Sequence, residues 1–282
     1  MMPDAAPQAL FLAHGAAARF ALYHAPAAPC RGAWLYLHPF AEEMNKARRM
    51  AALQAAALAA QGWAVLQLDL HGCGDSAGDF GEASWDSWRA DVALGLDWLQ
   101  ETLGTQLPQA PGLWGLRLGA LLALDYAQHP AGLAPSRLLL WQPVLQGAAH
   151  LTQFLRLQLA AQMLGEGGPE GGTAALRATL AAGTPLEIAG YALNPALALA
   201  LDGLDGTRQA PPCPVHWLEV VAEAGRPLSP AAQRVARQWQ EAGASVLTAS
   251  APGPQFWATQ EIAEAPALLQ ATTAVLEEAC HA

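Results

Sequence analysis

The stretch LWGLRLGALLAL, residues 113–124, decides the fold class of this chain. It joins an apolar run of strand length, Leu113–Leu116, to an apolar helical pattern, Leu118–Gln128, through the frame Gly115-Leu-Arg117-Leu-Gly119. Such a frame is typical of a nucleophile elbow, G-x-S-x-G, in which small residues allow a sharp strand-to-helix turn. The central residue here is an arginine, whose guanidinium stays protonated and cannot act as a nucleophile. We therefore predict the turn without the nucleophile; in the alternative, the glycines serve only close packing and Arg117 points into solvent.

Apolar runs of strand length alternate with longer helical patterns on both sides of this stretch, which indicates a parallel sheet with crossover helices. The predicted strands are Ala9–Ala13, Arg19–His24, Ala33–His38, Trp63–Leu70, Leu113–Leu116, Arg137–Val144, Val215–Val220 and Ser245–Ala249. The predicted helices are Asn45–Gln61, Trp85–Leu103, Leu118–Gln128, Pro230–Gln240 and Pro266–Ala279. The first two strands are expected to form a hairpin. We predict one α/β domain over residues 1–282, with a mostly parallel eight-stranded sheet and helices on both faces.

The alternation breaks after the sixth predicted strand. Residues from about 147 to 208 contain helical segments at Phe154–Met163, Ala174–Ala181 and Pro195–Leu201, with the glycine-rich stretch GEGGPEGG, residues 165–172, after the first of them. Because glycine-rich stretches are typical of flexible loops, we interpret this region as a helical cap inserted into the same domain.

Composition excludes several classes of protein. The net charge of −10 argues against a nucleic-acid partner and against a polybasic membrane anchor. The four cysteines are far apart and form no CxxC pair, so we predict no metal site, and no cofactor is expected. The N-terminus has no basic region typical of a signal peptide, and no apolar run approaches the ~20 residues of a membrane span. We expect a cytoplasmic protein without a transmembrane segment, and its oligomeric state stays open.

Candidate site residues follow the strands, because sites in open parallel sheets form at the carboxyl ends of the strands. His38 and the loop DLHGCGDSAG, residues 69–78, follow the third and fourth predicted strands, and that loop is mainly structural in its D-x-x-G-x-G-x-S relatives. His38, His71 and Glu219 are candidate bases, with a buried His38 bonded to backbone as the alternative. The amides of Phe40 and Leu118 are candidate donors to an oxyanion or another anion.

The histidine expected after the last strand is missing. The segment PGPQFW, residues 252–257, has none, although an acid is available at Glu219 or Glu223. Loss of the nucleophile and the base removes most catalysis by a Ser-His-Asp triad.

Several blocks of the sequence together resemble one known family. They are HPFAEEMNKARRM (38–50), DLHGCGDSAGDF (69–80), WGLRLGALLAL (114–124), WQPVLQG (141–147), QFLRL (153–157) and GPQFWATQEI (253–262). The chain resembles the second type of exosortase A system-associated hydrolase. This resemblance implies an α/β-hydrolase fold, a hydrolase by descent, and a link to exosortase A and exopolysaccharide production in Gram-negative bacteria.

A cationic side chain at the start of a helix needs a negative partner, because the helix dipole already favours an anion there. Arg117 should therefore pair either with a protein carboxylate or with an anionic ligand. The candidate carboxylates are Glu42, Glu43, Asp69, Glu219 and Glu223, and the other residues expected at the pocket are Gln142, Gln255 and Trp257. An apolar stripe of Leu155, Leu159 and Met163 on the cap would cover the apolar part of an acyl or isoprenoid phosphate or carboxylate.

Two classes of function stay open. An enzyme would use His38, His71 or Glu219 as a base on water, with Arg117 stabilising an oxyanion. A non-catalytic binding or scaffold protein would keep the fold, hold Arg117 in an internal ion pair and fill the pocket.

Overall fold

The computed structural model describes residues 6–15, 17–27, 29–164 and 171–281. Its strands are β1 (Gln8–His14), β2 (Ala17–His24), β3 (Gly32–Leu37), β4 (Trp63–Leu68), β5 (Gly112–Leu116), β6 (Leu138–Trp141), β7 (Leu186–Ile188), β8 (Tyr191–Leu193), β9 (Val215–Val221) and β10 (Val246–Pro252). Its helices are α1 (Glu42–Ala60), α2 (Trp85–Leu103), α3 (Leu118–Gln128), α4 (Gly147–Leu164), α5 (Gly172–Ala181), α6 (Pro195–Gly203), α7 (Pro230–Glu241) and α8 (Pro266–His281). Short 3-10 turns cover Phe80–Glu82 and Gly104–Gln106.

Eight of the strands form one sheet in the order β1-β2-β4-β3-β5-β6-β9-β10. β1 pairs antiparallel with β2, and β2 antiparallel with β4, whereas every further pairing is parallel. The predicted hairpin and the mostly parallel eight-stranded sheet are thus confirmed. Because the parallel strands share one direction, their carboxyl ends lie along one edge of the sheet.

The sheet is covered on both faces. Alternate residues of β3 pack into two different buried clusters, one on each face. Leu35 and Leu37 belong to one buried cluster, while Trp34 and Tyr36 belong to the other. Successive side chains of a strand point to opposite faces, so a strand buried on both faces is apolar throughout. Helices α2, α3 and α7 pack with the first cluster, and α1 and α8 pack with the second.

The region between β6 and β9, which is the predicted cap and is called the cap below, contains α4, α5, α6 and the hairpin β7–β8. Phe154 and Leu155 of α4 and Leu197 and Leu201 of α6 lie in the same buried cluster as Leu35 of the sheet. This packing is continuous between the sheet and the segment from β6 to β9, and the single domain with a cap stays a prediction. Of the predicted loop GEGGPEGG, residues 165–170 lie outside the described residues.

Helix α4 begins earlier than the sequence pattern predicts, at Gly147 instead of Phe154. A Cβ atom on Gly147 would lie 2.1 Å from the carbonyl oxygen of Leu201, so only glycine lets α4 start this close to α6. The extra turns place residues 147–153 at the carboxyl edge of the sheet. Within the described ranges, no helix combines the length and apolar character that a membrane span requires.

Candidate functional site

Arg117 occupies a strained turn between β5 and α3. Its backbone has φ 55° and ψ −116°, a conformation that costs a non-glycine residue about 1–3 kcal/mol. The neighbouring glycines enforce the turn: a Cβ atom on Gly119 would lie 2.1 Å from the Leu37 carbonyl oxygen, and one on Gly115 would lie 2.5 Å from Ala120 Cα. The sharp turn that the frame predicts is therefore present.

The Arg117 side chain is held on two sides. Its Nη2 and Nε atoms donate to Oε1 of Glu43, at 3.1 and 3.4 Å. Its guanidinium carbon lies 5.5 Å from the centre of the Trp257 ring, which is a cation–π distance. The side chains of Arg117 and Glu43 are 19% and 23% exposed, so the pair is shielded but not sealed. Of the carboxylates considered from the sequence, Glu43 is the one that pairs with Arg117.

Only one of the two carboxylate oxygens of Glu43 has a hydrogen-bond partner among the described residues. Burial raises the pKa of its carboxyl group above the ordinary value, and the charge and hydrogen bonds of Arg117 offset part of that shift. Its Oε2 atom is buried and has no hydrogen-bond partner among the described residues. Burial of a charged oxygen without a partner is costly, and the contact with Arg117 offsets part of that cost.

A cleft of about 540 Å³ opens beside Arg117. It lies between the start of α4, the carboxyl half of β9 and helix α7. Its charged and histidine side chains are those of Arg117, His150, Glu219 and Arg234, and its amide side chains are those of Gln146, Gln153 and Gln238. The volume lies in the range of small-molecule sites, so the cleft is large enough for a ligand.

His150, near the start of α4, is the functional candidate that the sequence analysis missed. It is 7% exposed, yet neither ring nitrogen has a hydrogen-bond partner among the described residues. Burial, and secondarily the charge of Arg117, lower the pKa of His150 to about 3. The imidazole is therefore neutral near pH 7, and its edge packs on the ring of Phe40 with 5.5 Å between ring centres.

The cap presents polar side chains to the cleft. Gln146, His150 and Gln153 are spaced four and three residues apart, which places them on one side of a helix. The predicted apolar stripe takes other positions: Leu155 is in the core, and Met163 is 67% exposed. Neither these two residues nor Leu159 lines the cleft.

Glu219 lies on β9 and lines the cleft from the sheet. Its carboxylate accepts from Trp217 Nε1 and from the Ser229 amide, both at 3.2 Å. Burial raises the pKa of Glu219, and the two hydrogen bonds partly offset the shift. Glu219 thus has its own partners and is not the counterion of Arg117.

The other two candidate bases are placed differently. His38 donates from Nδ1 to the Pro39 carbonyl at 2.8 Å and accepts from the Leu70 amide at its Nε2 atom at 3.2 Å. Both nitrogens are thus occupied by backbone groups, and the bond to Leu70 joins the ends of β3 and β4, which is the structural alternative for His38. His71 packs against Gly78, whose added Cβ would lie 2.4 Å from the imidazole, and does not line the cleft.

Phe40 and Leu118, the predicted amide donors, lie together against a separate small cavity of about 10 Å³. A cavity of that size can hold about one water molecule at most. The Phe40 ring also packs against Phe80 and Phe154 in a buried aromatic group. The two residues line the same small cavity, and their role as amide donors stays a prediction.

The remaining predicted pocket residues lie outside the cleft lining. Asp69 accepts from Arg48 at 3.0 Å, and Glu42 accepts from Tyr191 at 3.1 Å. These carboxylates therefore have partners other than Arg117.

Gln142 has a structural role, since its Oε1 accepts from the Val220 amide at 2.8 Å and joins β6 to β9. Glu223 and Gln255 are exposed. Among the described residues no group of three or more histidine, cysteine or acidic side chains could hold a metal ion.

Comparison with known proteins identifies relatives of this architecture. A family model described as serine aminopeptidase, S33 (Hydrolase_4), matches residues 28–200. No curated protein sequence gives a significant match.

Solved structures align over almost the whole chain. Ferulic acid-bound Est1E from Butyrivibrio proteoclasticus is 14% identical, with a TM-score of 0.62 over 95% of this chain and 98% of that one. A soluble variant of monoglyceride lipase from Saccharomyces cerevisiae is 12% identical, with a TM-score of 0.63 over 99% and 97%. A carboxyl esterase from Bacillus coagulans is 17% identical, with a TM-score of 0.62 over 97% and 98%. These likenesses confirm the predicted α/β-hydrolase fold.

Proposed function

Because the chain belongs to the serine aminopeptidase S33 (Hydrolase_4) family, we propose that it is a hydrolase by descent that binds a small anionic acyl ligand without turnover by a serine triad. One observation carries this proposal: Arg117 stands at the strained turn, where the G-x-S-x-G frame has its nucleophile, beside an open cleft. Residues 147–208 form the cap of this site in the same proposal.

The residues around position 117 also differ from those that a Ser-His-Asp triad needs. Trp257, in the segment after β10 where a triad histidine is expected, packs on the Arg117 guanidinium. Glu43 pairs with the same group from the start of α1. Both contacts stabilise a cation at a position where triad chemistry needs a nucleophile and a base. Glu219 then remains as an acid without the histidine that it would orient.

The charges of the cleft support an anionic ligand. Arg117 and Arg234 line it together with the carboxylate of Glu219, and Glu43 pairs with Arg117 from outside the lining, although the whole chain has a net charge of −10. Nη1 of Arg117 hydrogen-bonds no described residue, so this donor remains for a ligand. Val144, Leu145 and Val235 give the cleft an apolar part for the carbon skeleton of the acyl ligand.

The scaffold alternative also has an observation in its favour, because Arg117 is in an internal ion pair. The open cleft is what that alternative does not account for. Ligand binding therefore separates the two functions.

Labelling with a fluorophosphonate probe tests the first half of the proposal. We expect no covalent adduct by mass spectrometry and no hydrolysis of p-nitrophenyl acetate above the rate of a heat-denatured sample. A carboxyl esterase of the same fold is the positive control. A stoichiometric adduct on any serine of this chain would contradict the proposal.

Calorimetric titration with ferulate, the acid seen in the Est1E structure, tests the second half. We expect binding that weakens about tenfold in Arg234→Ala, since a charge-assisted hydrogen bond contributes about 1.5–3 kcal/mol. Arg237→Ala is the matched control, because Arg237 is on the same helix but lines a different groove. If ferulate and hexanoate both fail to bind, the scaffold alternative is correct.

We extend the proposal to the exosortase A and exopolysaccharide system, on the resemblance of blocks such as residues 38–50 and 253–262. Deletion of the gene should then change the amount or length of the exopolysaccharide. An unchanged polymer in the deletion strain would remove this part of the proposal.

A further inference from the structure

We infer that Gln146, His150 and Gln153 of the cap recognise hydroxyl groups, so that the ligand is a hydroxylated carboxylate of the sugar-acid class and not a plain fatty or isoprenoid acid. This inference rests on the anion site of the proposed function and specifies the rest of the ligand.

His150 supplies the main evidence, because buried polar atoms are normally hydrogen-bonded. Its side chain lines the cleft and is more than nine-tenths buried, and both of its nitrogens lack partners among the described residues. An imidazole that lines a cleft and lacks hydrogen-bond partners is positioned to hydrogen-bond a ligand bound in that cleft.

The protonation state of His150 selects the kind of partner. Burial and Arg117 keep the ring neutral by lowering its pKa to about 3, so it offers one N–H donor and one lone pair. A hydroxyl group matches that pair, since it both donates and accepts. A hydrocarbon chain does neither, and a carboxylate can only accept.

The neighbours of His150 extend the same chemistry. Gln146 and Gln153 flank it on the cap, and Gln238 lies on the wall formed by α7. Each side-chain amide has two donors and an acceptor, the groups that bind sugar hydroxyls. The cap side of the cleft therefore offers uncharged hydrogen-bonding groups, whereas an isoprenoid or fatty chain needs an apolar cover there.

The two parts of the site share one cleft. Arg117 and His150 both line it, and the charge of Arg117 acts on the His150 ring. In the proposed complex, a carboxylate on Arg117 leaves the adjacent carbons of the ligand within the cleft that His150 lines. Hydroxyl groups on those carbons complete the match.

Calorimetric titrations with glucuronate, hexanoate and glucose test the inference on the full chain. We expect glucuronate to bind about tenfold more tightly than hexanoate, the difference that one or two neutral hydrogen bonds supply. Glucose, which lacks the carboxylate, should bind more weakly than glucuronate.

The variants His150→Phe and Gln153→Leu should remove most of the preference for glucuronate and leave the affinity for hexanoate within about twofold. Gln158→Leu is the matched control, because Gln158 is on the same helix but outside the cleft lining. We also expect His150→Phe to raise the Tm, since it removes two unpaired buried nitrogens. A lower Tm with both affinities reduced would instead show a structural role and overturn the inference.

The outcomes separate the two proposals. Binding of hexanoate without a preference for glucuronate overturns the hydroxylated ligand and leaves the anion site intact. If neither acid binds, the proposed function fails and this inference fails with it. Equal affinity for glucose and glucuronate would show that the carboxylate adds nothing to binding, which contradicts the proposed anion site.

Discussion

At the scale of single residues, His150 connects stability to pH. Its pKa of about 3 in the fold is below the ordinary value, so the unfolded chain binds a proton that the folded chain excludes. His150 thus disfavours the folded state least above about pH 6.5, and the folded state loses stability as the pH falls toward 3.

We predict that His150→Phe flattens the acid side of the stability profile. Between pH 6 and 4 the free energy of unfolding of the wild type should fall more steeply, by about 1 kcal/mol per pH unit. Urea unfolding at several pH values measures the difference. His216, whose pKa burial also lowers, to about 4, is present in both proteins and does not affect the comparison. Parallel profiles for the two proteins would rule out this role.

The Arg117–Glu43 pair predicts the opposite pH dependence. A raised pKa means that the fold favours protonated Glu43, so its contribution is complete below the unfolded pKa of about 4.3 and is lost as the pH rises through the folded pKa. Arg117→Met removes the offsetting charge and should add roughly 1 kcal/mol of destabilisation between pH 5 and 7, since partial exposure limits the effect. In the double variant Arg117→Met with Glu43→Gln, the free energy of unfolding should no longer show this added dependence on pH. If Arg117→Met alone shows no added slope, the pair contributes little.

The site could be predicted from the sequence only in part. The elbow frame predicts Arg117, and the strand ends predict Glu219 and Trp257. Glu43 was one of five carboxylates that stayed open as partners of Arg117. His150 was not predicted, because the cap helix was expected to start at Phe154 and its relation to Gln146 and Gln153 was therefore hidden. The close contact of Gly147 with α6, which sets the true start, depends on residues distant in the sequence.

At the scale of elements, the turn between β5 and α3 depends on Gly119. We predict that Gly119→Ala destabilises the fold by about 3 kcal/mol or more, because its Cβ would lie 2.1 Å from the backbone oxygen of Leu37. Gly203→Ala is the matched control, since nothing lies within 4 Å of its added Cβ, and it should change stability by less than about 0.5 kcal/mol. Thermal unfolding compares the two variants. Equal Tm values would show that the turn can relax.

Elements with strong local signals were predicted to the residue. Helix α2 has the cap residue Ser84, whose side chain accepts from the Ser87 amide, and α3 follows the glycine frame. The hairpin β7–β8 was missed because each strand has three residues, too few for an alternating pattern to show. Local chemistry thus fixes long elements, while short ones depend on what they pack against.

At the scale of the whole molecule, cap and sheet share one core. All ten tryptophans lie outside residues 147–208, so tryptophan fluorescence reports unfolding of the sheet and its flanking helices without a tryptophan in the cap. We predict that amide hydrogens of α4 exchange with the free energy of global unfolding measured by fluorescence, because Phe154 and Leu155 are in the sheet's buried cluster. If the amide hydrogens of α4 exchange with a free energy of opening much below that of global unfolding, the cap unfolds on its own.

The turn at residue 117 keeps its shape through Gly115 and Gly119, which leave no room for side chains, and not through the side chain that it displays. Shape and displayed chemistry are therefore separable at this position. Arg117 can therefore be replaced by a synthetic amino acid or by a residue that carries a tethered catalyst. Glu43→Gln would be combined with this replacement, because it removes the counterion that Arg117 no longer needs. A group attached at this turn is beside the cleft that residue 117 lines, so the fold can serve as a scaffold for reactions that it did not evolve to perform.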